Sequence, residues 1–344
     1  MGRSVRLHWA GTAMAIVMLG VALTAGAGGG VSGGSAPASA PVDEAWVATG
    51  ASVTLPGNAV TPVDLRTRQV QAKVHLGSLP SALAFTKNDA ALLVTSQGTD
   101  KLTEIDPASG RVMRSVTVGV EPDAVAVAPG GTAGKGMALV ANLDSNSVTP
   151  VDLGTWKAGK PIPVGTEPVA VAIDASNGHD GTAFVADFGS NQVTPINLAT
   201  LTPGTAIAVG PSPETVAVAR PSDQLLVGNF GNDSLTVITA STLAPVSTIA
   251  LPLNPTDVVV NAAKTTAYIS GGASIVPLTL AGLALGTPIR LPDVAQAVAF
   301  DPRGTTAWVA LQAGSLVPVT LATGVVGRAI HLGGHPSALV IATR

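Results

Sequence analysis

The chain has 344 residues, 46% hydrophobic, 11% charged and 3% aromatic, with 39 Gly, 26 Pro and no Cys. The missing cysteines exclude disulfide scaffolds, thiol nucleophiles and cysteine metal sites, and so apolar a chain with a formal charge of −3 does not fit intrinsic disorder. Lys and Arg number 18 against 21 Asp and Glu, with no basic tract, which argues against nucleic acid as a partner.

The first element is an export signal. Residues 1–9 carry Arg3 and Arg6 and no acid, and an apolar run follows from Ala10 to Ala27. A basic start, an apolar stretch and then small residues, as in Ala25-Gly26-Ala27, form a secretory signal over 1–27. If it is retained, the same run borders on spanning length and makes a signal anchor, the chain's one route to a membrane. Residues 28–44 read as a flexible Gly/Ser/Ala/Pro linker. The remainder is expected to be secreted, extracellular or associated with the cell envelope.

From residue 45 to 344 one unit repeats. Its anchor is Gly, two residues, Pro, then alternating small and large apolar residues: GSLPSALAF at Pro80, GVEPDAVAV at Pro122, GTEPVAVAI at Pro168 and GPSPETVAV at Pro213. It continues at Pro255, at Ala295 in the proline position and at Pro336, with spacings of 42, 46, 45, 42, 40 and 41 residues. Between anchors come three further apolar runs, for example MALVAN, VTPVDL and a fourth leading into the next anchor. Four short strands in about 40 residues are the period of a propeller blade. The two ends set the count. The chain stops after one first strand, PSALVIATR, and begins with AWVAT, VTPVDL and QAKVHL, which are second, third and fourth strands. One plus three closes a ring and leaves no free edge. The expected fold is therefore all-β: a seven-bladed β-propeller over 45–344, with four antiparallel strands per blade.

The stretches LVANLDSNSVTPVDL, FVADFGSNQVTPINL and LVGNFGNDSLTVI resemble the repeat of the YVTN-family propellers, which include secreted YncE-type and surface-layer proteins. The family's Tyr is kept here only at Tyr268. The resemblance implies a WD40/YVTN-like scaffold used for binding at the cell surface. Related propellers also include lactonases and streptogramin lyases.

In an up-and-down blade the fourth-to-first and second-to-third connections share one face, so their polar residues should ring one mouth of the channel. The anchor loops supply Glu121, Asp123, Glu167, Glu214, Asp257 and His335 as candidate ligand-binding residues, with Asp293 beside them. The hairpins add Asn142, Asp144, Asp187, Asn191, Asn229 and Asp233, which tight turns would select in any case. Carboxylates with few nearby Lys or Arg suit a polar ligand or a hard cation, Ca or Mg, with Glu121, Glu167 and Glu214 as metal candidates. His335, directly before Pro336, is the one candidate for a general base, though a solvated loop histidine explains it as well. His75, His331 and His179 read as structural or merely exposed, Trp46 and Trp308 as packing between blades, and Trp156 as exposed on the opposite face. No GxSxG elbow and no P-loop occurs. The leading functional reading is a non-catalytic binding scaffold for a protein, glycan or small polar ligand. The alternatives are a lactonase- or streptogramin-lyase-like enzyme using a divalent cation, and a structural envelope protein.

Overall fold

The computed structural model describes residues 43–343 apart from 51–56, 78, 130, 132–133, 176–180 and 262. The signal, most of the linker and His179 lie outside the described residues. Seven four-stranded antiparallel blades form a ring, in the strand order expected. The third blade shows the plan. Pro122–Ala128 lines the channel, Met137–Asn142 and Ser147–Asp152 follow outward, and the outermost strand is Lys157–Ala158 plus Ile162–Pro163. Ala126 pairs with Leu139, and Leu139 with Pro150, so residues at one height form a spoke.

The ring closes as the two termini require. C-terminal strand His335–Thr343 pairs antiparallel with Asp43–Gly50, placing Trp46 opposite Val340 on one side and Pro62 on the other. The first strands bury both faces: every residue of Pro122–Ala128 is buried. Their small/large alternation is therefore a packing rule between blades rather than an inside/outside rule. Hydrophobic clusters bridge each pair of neighbouring blades right round the ring. Trp46 and Trp308 sit in two of them, 1% and 6% exposed, as inter-blade packing should be. Trp156 differs from expectation. It is half-buried against the core of the second and third blades, and the Arg114 guanidinium lies 4.5 Å from its ring centroid.

The fourth strands also depart from the simple pattern. In five blades the strand is broken into two short pieces, and each of those blades has proline in the middle of its third strand: Pro62, Pro150, Pro195, Pro277 and Pro318. The two unbroken outer strands, Arg111–Thr117 and Ala244–Ala250, face Glu104 and Val237 at that position. Proline has no N–H to donate to its outer neighbour, so the outer strand swings away there. One bond survives at each break, with Gln71, Gly159, Gly204, Gly286 and Gly327 donating N–H to the proline carbonyl at 2.7–2.9 Å. A Cβ at Gly159 would sit 3.1 Å from the Pro150 ring, so the glycine lets the chain pass close over it.

Candidate functional site

The anchor motif builds the mouth. In the third blade Gly119 lies against the last residue of the second strand, and a Cβ there would fall 2.5 Å from Asn142 Cγ. Gly210 stands in the same relation to Asn229, at 2.6 Å, and Gly165 to Asp187. The anchor glycine is thus required for close approach, its backbone lying outside the left-handed region. Asn142 uses that contact: its Oδ1 accepts from Gly119 N–H at 3.0 Å, and its Nδ2 donates to Thr149 Oγ1 at 2.9 Å. Asn229 repeats the pattern toward Ser234 and Thr236. Asp187 accepts from Thr194 Oγ1 at 2.6 Å, and burial pushes its carboxyl up to about 6. These residues are buried struts inside their own blades, not groups presented to a ligand.

Immediately after the anchor proline the ladder slips. Asn142 pairs with Pro122 and Ala141 with Ala124, leaving Asp123 as an extra, bulged residue. The same slip isolates Val169, Glu214, Gln296 and Ser337. Ser81 lies in the corresponding irregularity of the second blade, and Thr256 occupies the position in the sixth. A bulge re-aims a side chain out of the pleat, so each blade contributes one residue to a ring at the mouth. Two members hold neighbouring blades together: Ser81 Oγ donates to the Pro122 carbonyl at 2.6 Å and Ser337 Oγ to the Pro80 carbonyl at 2.9 Å.

Asp123 and Glu214 are the ring's acids, 5% and 4% exposed. Asp123 accepts from Gln97 Nε2 at 2.6 Å, while Glu214 Oε1 has no partner among the described residues. Burial raises the Asp123 carboxyl to about 7, against the Gln97 bond that lowers it, and the charge of Glu121 adds to the rise. Burial, and then the charge of Asp123, hold Glu214 well above the usual carboxylate range. The charge of Asp123 thus reaches Glu214 across the mouth.

The remaining candidates separate from this pair. Asp257 is the second residue after its proline, one step deeper than Asp123. Its Oδ2 accepts from Val298 N–H in the next blade at 3.1 Å, as Thr215 Oγ1 does from Val258 N–H at 3.2 Å, and burial raises Asp257 to about 7. Glu121, Glu167 and His335 stand outside the ring, in the residue before the proline. There the backbone is latched to the preceding blade: Glu121 N–H donates to Asp100 Oδ1 at 3.0 Å and Glu167 N–H to Asn146 Oδ1 at 2.8 Å. Ser212 N–H is held likewise by Asn191. His335 makes its latch with the side chain, Nδ1–H donating to the Gln312 carbonyl at 3.0 Å. Asp293 caps a turn through Ala313 N–H at 2.6 Å. Glu121, Glu167 and Glu214 thus lie on rim, rim and inner ring. Among the described residues no group of three or more His, Asp or Glu is arranged to hold a metal ion.

No protein-family model and no curated protein matches the chain. Solved structures do. A functionally unknown protein from Desulfotomaculum acetoxidans superposes with a TM-score of 0.73 at 15% identity, covering 88% of this chain and 99% of that one. A proposed 6-phosphogluconolactonase from Bacteroides fragilis gives 0.70 at 16% identity, over 90% and 99%. Virginiamycin B lyase from Staphylococcus aureus gives 0.62 at 14% identity, over 77% and 91%. This chain shares their fold. At such identity the likeness reaches no further, because propellers host unrelated chemistries.

Proposed function

We propose that the protein is a secreted, non-catalytic propeller of the YVTN type, serving as a rigid binding scaffold with its ligand at the acidic mouth. The signal over 1–27 and the linker over 28–44 would deliver the ring over 45–344 to the outside of the cell. The observation that carries the reading is the ring of bulged residues. At this position the seven blades present Ser, Asp, Val, Glu, Thr or Gln, and the two acids are buried. A scaffold needs none of that variety; a ligand of low symmetry does. The partner is a protein, a glycan or a small polar molecule. Capture on glycan arrays and pull-downs with the intact protein test the proposal, using Asp123→Asn/Glu214→Gln as the control. A partner kept by the wild type and lost by the control supports it, and capture unaffected by the control overturns the placement at the mouth.

The enzyme alternative draws on the fold likeness to the proposed lactonase and to virginiamycin B lyase. In that reading a Ca or Mg ion at the mouth would polarise a lactone carbonyl, with His335 as base, but Glu121, Glu167 and Glu214, the expected ligands, do not gather round one point among the described residues. Calorimetry with CaCl2 and MgCl2, together with lactone hydrolysis before and after chelation, decides it. Absence of both signals removes this alternative.

A further inference from the structure

The ring is unusual in what it lacks. The ion pairs of Arg114, Arg220 and Arg303 engage Glu104, Asp174, Asp223, Asp43 and Asp301, all away from the mouth. None of these pairs reaches Asp123 or Glu214. The hydroxyl protons of Ser81 and Ser337 are spent on the Pro122 and Pro80 carbonyls; the Ser81 oxygen then accepts from Thr95 Oγ1 at 2.8 Å, and the Ser337 oxygen remains an acceptor. The Glu214 Oε1 atom, in a side chain more than nine-tenths buried, has no donor among the described residues.

Resting on the reading of the mouth as a ligand site, we infer that it takes an ammonium group, the protonated primary amine of a ligand, held between Glu214 and Asp123. Three features favour this group over the alternatives. An anion or a ligand rich in acceptors would meet two carboxyls and acceptor oxygens that none of the ion-paired arginines reaches to offset. A divalent ion of the Ca class takes six to eight oxygens, several from carboxylates, whereas no cluster of three acidic or histidine side chains is present among the described residues. An ammonium has three N–H donors and one charge. Glu214 Oε1, an Asp123 oxygen not engaged by Gln97 and a ring hydroxyl match that number. The charge would also restore the ionised form that burial disfavours in both acids, so ligand and carboxyls stabilise one another.

Calorimetry on the protein at pH 8 and fixed ionic strength tests this with n-butylammonium chloride, tetramethylammonium chloride and CaCl2 as separate probes. The expected result is saturable binding of butylammonium and none of tetramethylammonium, which carries the charge without N–H donors. Glu214→Gln and Asp123→Asn should each weaken butylammonium binding at least tenfold, with melting curves confirming that both variants fold. No saturable butylammonium signal overturns the inference, and so does equal affinity in Glu214→Gln. Saturable Ca²⁺ binding that Glu214→Gln abolishes, with no butylammonium signal, overturns the ammonium while leaving the mouth as the site.

Discussion

Asp123→Asn isolates the electrostatics of the mouth with little change of shape. The asparagine Oδ1 still accepts the Gln97 bond, 2.6 Å long in the wild type. In the folded protein the Asp123 carboxyl is raised from its ordinary 3.8 to about 7, chiefly by burial. The unfolded chain therefore ionises first as pH rises. Below pH 3.8 both states are protonated and the full stability is present. Between 3.8 and about 7 the unfolded state gives up its proton while the folded state keeps it, and stability falls with pH. Above about 7 the loss is complete, on the order of 4 kcal/mol in total at 1.36 kcal/mol per pKa unit. From pH 5 to pH 8 the wild type loses roughly 3 kcal/mol through this group alone. Asparagine cannot ionise, so that part of the pH dependence vanishes in the variant.

Urea unfolding at pH 5 and pH 8, followed by tryptophan fluorescence from buried Trp46 and Trp308, measures the difference. The expected outcome is a stability gap between Asp123→Asn and wild type that moves by about 3 kcal/mol in the variant's favour between the two pH values. Terms common to both proteins, including the titration of Asp257, drop out of that double difference. A gap that stays constant with pH would refute the buried, raised Asp123 carboxyl.

Other perturbations probe the scaffold. Gly119→Ala drives a Cβ to within 2.5 Å of Asn142 Cγ and should cost about 1–3 kcal/mol in thermal or urea unfolding. Adding Asn142→Ala should not rescue it, because a Cβ at Gly119 also falls 2.7 Å from the Asn142 Cβ that alanine keeps, and the buried bonds of Asn142 to Gly119 N–H and Thr149 would be lost as well. Ser81→Ala removes a buried inter-blade bond to the Pro122 carbonyl and should cost about 1–2 kcal/mol, read in the same denaturation curves. Removing residues 335–344 takes away the strand that pairs with Asp43–Gly50; loss of a single cooperative melt by calorimetry is expected, and an unchanged melt would contradict closure at that blade.

The scaffold was legible in the sequence because every blade solves the same packing problem. Alternating Ala and Val in the first strands, one anchor every 40 to 46 residues, and three strands at one end with one at the other define ring and closure. The broken outer strands were also written there, in Pro62, Pro150, Pro195, Pro277 and Pro318, but only the direction of each proline's missing N–H reveals the consequence. The site was harder to read. Grouping by anchor loop placed Asp257 beside Asp123 and Glu214, whereas it is the second residue after its proline and lies one step deeper, bonded to Val298 N–H. Grouping by loop likewise merged Glu121, Glu167 and His335 with the inner acids, although the latches to Asp100, Asn146 and Gln312 hold them on the rim. A β-bulge leaves only a faint trace in sequence, namely an alternation that begins one residue late after the proline.

That trace bears on how such a ring acquires a function. At positions inside the blades the repeat is under a shared constraint: a residue must fit the same spoke and the same neighbour each time. The bulged residue escapes the pleat, and its side chain answers to the channel instead. At Ser81 and Ser337 it bonds a neighbouring blade and at Val169 it joins the core, yet six residue types share the position round the ring. Asp123 and Glu214 lie two blades apart at one height, and burial leaves each short of the solvent that would support its charge. Both acids are destabilising as part of a scaffold, and neither is needed by the fold, since Ser, Val, Thr and Gln fill the same position elsewhere. Acids that the fold does not need and that raise its free energy are best explained by what they bind.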